Sequence, residues 1–248
     1  MFFKILYTKK NLIDLSLQKI MKLAVFDVDR TLYDGYSSVE FVSYLKKKDI
    51  FPEKQYLEMN DLIKKLSYKK IPYLKAAHDY CLILGDGLKD INKQTIKKQA
   101  KMFFSEKKLY SYSADLVSLL KNHNYIILLL SNSLIELLGE VKDCLGADSV
   151  IGIELETIRG KYTGKILSEV HFEHGKSNSI NRYLESNNID LKDSIGMGDS
   201  DHDIGFLEMI THPVVINYRK ELLAYAKKNN WMIADKENVL TKIKNIIK

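Results

Sequence analysis

Residues Leu23–Phe26 are apolar, and the run stops at Asp27-Val28-Asp29-Arg30-Thr31. Few arrangements accommodate such a segment. It reads as a buried strand that carries two acids to its C-terminal tip, the edge at which open α/β sheets bind ligands. Side chains alternate across a strand, so Asp27 and Asp29 project to the same side. Two acids on one side can divide the work of a reaction if their surroundings hold one ionised and the other protonated.

The pattern of strand, polar tip and helix recurs. Tyr125–Leu130 is an apolar strand that ends in Ser131-Asn132-Ser133, followed by a helix-like stretch over 134–145. Residues 193–198 form a third strand, ending in Gly198-Asp199-Ser200-Asp201-His202-Asp203 and a short helix. Further short strands are expected at Val150–Leu155, Val214–Asn217 and Trp231–Ala234. Strands alternating with helices predict an α/β fold, a doubly wound, Rossmann-like parallel sheet. Residues 156–170 read as a β-hairpin that turns at Arg159-Gly160.

Residues 34–110 are different. They contain no strand pattern, and Tyr56, Met59, Ile63 and Leu66 recur at helical spacing, as do Leu74, Ala77, Cys81 and Leu84. Pro52 and Pro72 sit where the first turn of a helix tolerates proline. The segment predicts a helical subdomain inserted after the first strand, so the core is expected over 21–33 and 111–248. Its aromatic and Met positions are expected in its own core. Residues 1–20 read as an N-terminal extension, with Met21 an equally good start.

With 46% hydrophobic and 28% charged residues, the chain has the balance of a soluble globular protein. No apolar run reaches the roughly 18–20 residues that span a bilayer. Cys81 and Cys144 are expected to be buried, reduced thiols of a cytoplasmic protein. The net charge of +6 rests almost wholly on lysine, with Arg30, Arg159, Arg182 and Arg219 the only arginines. The lysines are spread over helix-like segments, which favours ordinary solvated faces over a nucleic-acid stripe.

Polar clusters therefore fall at three strand ends, and Lys176 opens a helix-like stretch after His174-Gly175. Each has a bland alternative: Asp199-Ser200 as a helix cap, Ser131-Asn132 as a turn, Lys176 as one lysine of many. Their order, D-x-D-x-T, then Ser, then Lys, then G-D-S-D-x-D, resembles the haloacid dehalogenase superfamily of phosphohydrolases over about 21–235. The helical insertion resembles the type C1 cap of that superfamily. The stretches Glu154–Ile166 and Pro213–Asn217, with Leu222, Ala226 and Trp231, are similar to its phosphoserine-phosphatase-like subfamily IB.

The resemblance implies a phosphatase for a small phosphorylated metabolite. It implies Asp27 as the nucleophile that forms an aspartyl-phosphate, and Asp29 as the acid and base. Ser131, Asn132 and Lys176 would bind the phosphoryl oxygens. Mg²⁺ would be held by Asp27, the backbone carbonyl of Asp29 and Asp199, with Asp203 and Thr31 in support. An all-oxygen set of this kind suits Mg²⁺. An acid in the place of Asp29 argues for hydrolysis rather than mere acceptance of phosphate.

For the leaving group the resemblance says less. Phosphoserine phosphatases carry a cap Glu and Arg; the Glu position falls on Tyr36, with Glu40 nearby, and no arginine lies between Arg30 and Arg159. A carboxylate fork is therefore not expected in the helical insertion. His202 stands where those enzymes often carry Asn, as a substrate contact or as a loop residue. Phosphoserine, histidinol phosphate and lipid head-group precursors all remain open, as does a phosphate-accepting protein without hydrolysis.

Overall fold

In the computed structural model, residues 22–104 and 108–247 are described. The extension expected over 1–20 lies outside them. The main sheet has six strands in the order β3-β2-β1-β6-β7-β8, and every neighbouring pair is parallel. The strands are β1 (Lys22–Asp27), β2 (Tyr125–Leu134), β3 (Ser149–Ile153), β6 (Ile195–Gly198), β7 (His212–Val215) and β8 (Met232–Ile233). The chain first moves outward through β2 and β3, then returns to the other side of β1 with β6, β7 and β8. The order thus reverses between β1 and β6, and a crevice opens there beyond the carboxyl ends of the strands.

Burial explains the composition of the strands. Leu23 to Phe26 and Ile127 to Leu130 are wholly excluded from solvent. A parallel sheet covered on both faces needs such continuous apolar runs. Each fully buried leucine or phenylalanine contributes about 1.5–3 kcal/mol. The helices α5 (Ser113–Asn122), α6 (Ile135–Leu145), α7 (Gly175–Asn187), α8 (Ile204–Leu207), α9 (Lys220–Lys228) and α10 (Val239–Ile246) complete this region.

Among the described residues four helices precede α5: α1 (Ser37–Lys47), α2 (Glu53–Ser67), α3 (Tyr73–Leu88) and α4 (Lys93–Phe104). Pro52 and Pro72 stand one residue before α2 and α3 with extended backbone, where their missing N–H costs nothing. None of the described residues between β1 and β2 forms a strand of either sheet.

The hairpin pairs β4 (Leu155–Ile158) with β5 (Lys161–Ile166) as a separate two-stranded sheet. Its two-residue turn needs positive φ at both positions, met by Arg159 at 51° and Gly160 at 76°. The hairpin docks on the helical segment. Tyr162 N–H donates to the Ile91 carbonyl at 3.0 Å, Asp90 N–H to Tyr162 at 2.9 Å and Lys93 N–H to Gly160 at 2.9 Å.

Several expectations need correction. β2 runs on through Ser131-Asn132-Ser133 to Leu134, with a register shift against β3 between Leu130 and Leu134. The polar triplet is thus an irregular strand end rather than a turn. β6 starts at Ile195, because Asp193 turns the chain with φ 55°. β3 ends at Ile153, β7 at Val215, and β8 covers only Met232–Ile233. Leu74 is exposed, since the buried stripe of α3 is Ala76, Cys81, Leu84 and Leu88. Cys144 is also exposed while Cys81 is buried. The inner face of α6 is Leu137, Leu138, Val141 and Leu145, and position 144 falls off that stripe.

Candidate active site

The crevice at the β1/β6 reversal collects the acids. Asp27 ends β1, and Asp199 follows β6 immediately. Asp203 closes a one-turn 3₁₀ segment, Asp201–Asp203, and both Asp203 and Asp27 are buried. Oxygen atoms of Asp27, Asp199 and Asp203 lie within 4.8 Å of one another. Three buried carboxylates so close repel unless cations or protons intervene.

Lys176 supplies one cation. Its Nζ lies 2.6 Å from Asp27 Oδ1 and 2.6 Å from Asp203 Oδ1. It occupies the first turn of α7, behind Gly175. A side chain at Gly175 would collide with the Glu169 carbonyl oxygen at 2.1 Å, so glycine lets α7 begin against that loop. Burial opposes the ammonium charge, but Asp203 and Asp27 outweigh it and hold the group charged well above the ordinary lysine range. Removing one partner from such a buried pair costs about 3–5 kcal/mol.

The carboxylates answer differently. Burial pushes Asp27 well above its ordinary value; Lys176 opposes the shift, while Asp203 and Asp199 add to it. Asp199 rises to about 7 through burial and the repulsion of Asp203, offset by Arg219 and Arg30. Asp203 is occupied: besides Lys176, its Oδ2 accepts from the N–H groups of Asp199 and Ser200, at 3.2 and 3.1 Å, and from Ser200 Oγ at 3.1 Å. The oxygens of Asp27 and Asp199 are less engaged. A hard divalent cation matches this donor set, since it prefers several carboxylate and carbonyl oxygens.

Asp29 stands apart from the three-acid group. Its Oδ1 accepts the Ser37 N–H at 3.0 Å, at the start of α1. Burial raises it to about 6, against the lowering effect of the Ser37 bonds and Lys176. The two acids of the D-x-D pair therefore meet different surroundings. Ser131 is buried, and its Oγ accepts the Ser133 N–H at 3.1 Å. Asn132 Nδ2 donates to the Tyr73 hydroxyl at 3.2 Å. Thr31 is fully buried with its hydroxyl unpartnered, while its carbonyl accepts the Tyr112 hydroxyl.

Tyr36, Glu40 and His202 were singled out from sequence, whereas Arg30, Ser37, Tyr73, Asn217 and Arg219 were given no place at the site. Arg30 Nε reaches Asp199 Oδ2 at 3.0 Å, and Asn217 Nδ2 clasps the Arg30 carbonyl at 2.8 Å. Ser37 Oγ meets Ser133 Oγ at 2.8 Å, tying α1 to the end of β2. The Tyr73 ring stacks on His202, centroids 3.4 Å apart and planes 9° from parallel. Arg219, from beyond β7, donates to the Tyr36 hydroxyl at 3.2 Å, so an arginine does reach the position where the resemblance looked for a glutamate. Glu40 is taken up elsewhere, by the Tyr33 hydroxyl at 2.9 Å and Lys108 at 2.8 Å. Apart from Tyr33–Glu40, which are seven residues apart, these contacts join residues distant in sequence, where no local pattern signals them.

Comparison with known proteins agrees with the geometry. The chain is 25% identical over 229 residues to a histidinol-phosphatase of Neisseria meningitidis, covering 85% of this chain and 97% of that one. It is 22% identical over 215 residues to the phosphoserine phosphatase SerB1 of Mycobacterium tuberculosis, covering 86% and 70%. A solved phospho-aspartyl intermediate analogue of phosphoserine phosphatase has the same fold, with a TM-score of 0.65 at 20% identity over 93% of this chain and all of that one. The family model for haloacid dehalogenase-like hydrolases matches residues 24–208, which span the acids, Lys176 and the crevice between them. The chain belongs to the haloacid dehalogenase-like hydrolases, a family of enzymes.

Proposed function

We propose that this protein is a Mg²⁺-dependent phosphomonoesterase acting on a small phosphorylated metabolite. One observation carries the reading: Lys176 bridges Asp27 and Asp203 at 2.6 Å each, beside Asp199, in a buried crevice. Such a cluster offers carboxylate oxygens to a divalent cation and a buried ammonium to a phosphate dianion. Mg²⁺, held by Asp27, the Asp29 carbonyl and Asp199, would supply charge neutralisation for the phosphoryl group.

The chain's own residues do the rest. Asp27 attacks phosphorus and carries the phosphoryl group as an aspartyl-phosphate. Lys176, the Ser131 hydroxyl and Asn132 bind its oxygens, and Asp203 fixes Lys176. Thr31 supports the loop after β1 through its backbone. Asp29 gives a proton to the leaving oxygen, then takes one from the water that cleaves the intermediate. Its separate surroundings, and its pKa of about 6, suit an acid that must hold and release a proton near neutrality.

The helical segment over 34–110 acts as the cap that selects the leaving group. Tyr36 replaces the glutamate of a phosphoserine site, and Glu40 is engaged with Tyr33 and Lys108. Neither favours phosphoserine over other metabolites. The reading is tested by a phosphate-release screen of phosphorylated metabolites after thorough chelation, with and without added Mg²⁺. Release is expected only with Mg²⁺, and Asp27→Asn is expected to abolish it while the protein stays folded. Metal-independent release, or an active Asp27→Asn protein, would contradict the reading.

A further inference from the structure

Resting on that reading, we propose that the Tyr73 hydroxyl donates a hydrogen bond to a phosphoryl oxygen, so that the helical segment itself binds the phosphate. Tyr73 is the first residue of α3 and is aimed by Pro72, whose φ of −64° and ψ of 148° set the entry of the chain. Its ring lies flat on His202, and its hydroxyl oxygen accepts from Asn132 Nδ2 at 3.2 Å. The side chain is thus held from two core loops, the end of β2 and the turn carrying Asp201–Asp203.

The hydroxyl oxygen is used, but its proton has no acceptor among the described residues. Burial keeps the phenol protonated, and the hydroxyl lies within the electrostatic reach of Lys176, Asp203 and Asp27. A spare O–H donor near a cationic Nζ, at the mouth of a crevice built for a dianion, matches a phosphoryl oxygen. Arg30 and Arg219 do not compete for this place, since they bond Asp199 and Tyr36.

Two consequences follow from Tyr73 belonging to α3. Bound phosphate would draw α3 onto the core, and product release would require that bond to break. The contribution also falls on every ester alike, because it is made to the shared phosphoryl group.

Tyr73→Phe tests this directly, because it keeps the ring and the stack on His202 and deletes only the O–H. The probe is inorganic phosphate with Mg²⁺, titrated calorimetrically into wild type and variant, with kcat/KM measured for several phosphate esters. The dissociation constant is expected to rise about 5–10-fold, with kcat/KM falling by a similar factor for every ester. A constant within about twofold of wild type would overturn the proposal and reduce Tyr73 to a structural stack. Tyr73→Ala separates the roles: a loss no greater than that of Tyr73→Phe assigns the effect to the hydroxyl. A loss confined to Tyr73→Ala assigns it to the ring and overturns the proposal. If wild type neither binds phosphate nor releases it from any ester, the phosphatase reading falls and takes this proposal with it. Wild-type activity with an unchanged Tyr73→Phe removes this proposal alone.

Discussion

The carboxyl edge of the sheet and the helical segment over it are built on opposite principles. At the sheet edge, buried acids are bound to cations: Asp27 and Asp203 to the buried Lys176, and Asp199 to the partly exposed Arg30. Each of these acids lies at, or within five residues of, the end of a strand. The helical segment presents neutral side chains to the same space, Tyr73, Ser37 and Tyr36, hydrogen-bonded to Asn132, Ser133 and Arg219 of the core. Chemistry common to all phosphate esters needs fixed charges on a rigid sheet. Discrimination among leaving groups is better served by neutral, shape-defining groups on a separate element.

If this division is right, the largest effect comes from the sheet edge and spares no substrate. Lys176→Met leaves Asp27 and Asp203 buried without their cation. It is expected to cost about 3–5 kcal/mol of stability at neutral pH. Activity towards every ester should fall by at least about 100-fold. Denaturant unfolding and a substrate panel check both parts. A selective loss, with some esters unaffected, would break the comparison.

A change in the helical segment should do the reverse. Tyr36→Phe removes the acceptor of Arg219 at the rim and leaves the acids intact. The expected result is a re-ranking of esters, by about 2–10-fold in kcat/KM, with little change in stability. A uniform loss across the panel would place Tyr36 with the common chemistry instead.

The smallest effect concerns how the two regions are held together. His171, in the loop before α7, is buried against His78 of α3 and against Phe172, and neither of its ring nitrogens has a partner. Burial, and then His78, lower its pKa; Glu169 opposes this but is bonded to Arg182 at 2.7 Å. Because the folded value is depressed, this contribution to stability is present above the unfolded value of about 6.5 and is lost as pH falls through it. His171→Phe should therefore lose less stability than wild type between pH 7 and pH 5. Equal losses in thermal unfolding would show that His171 charges freely in the folded protein.

The two regions also differed in how far they could be read from sequence. Asp27, Ser131 and Asp199 were legible because a strand ending in polar residues is a local pattern. Lys176 gained meaning only from its order after them. Tyr73, Arg219 and Arg30 were not legible, since their partners lie from 59 to 183 residues away along the chain. The hairpin was legible from its turn, but its docking on Asp90–Lys93 was not, because backbone bonds between distant segments leave no composition signal. Leu74 and Cys144 show the same limit on a smaller scale: both lie in helices, but Leu74 falls off the buried stripe of α3 and Cys144 stands one residue before the buried Leu145.

In the proposed mechanism Asp27 and Asp29, two residues apart, do separate jobs, one carrying phosphate and the other moving protons. Rapid quench of Asp29→Asn with a nitrophenyl phosphate and Mg²⁺, followed by intact-mass analysis, tests it most directly. This leaving group needs no proton, so the first step should proceed while hydrolysis of the intermediate stalls. Protein heavier by one phosphoryl group is expected to accumulate, with the label on Asp27 in peptide mapping. No phosphoenzyme, together with equal losses for activated and unactivated esters, would contradict that mechanism.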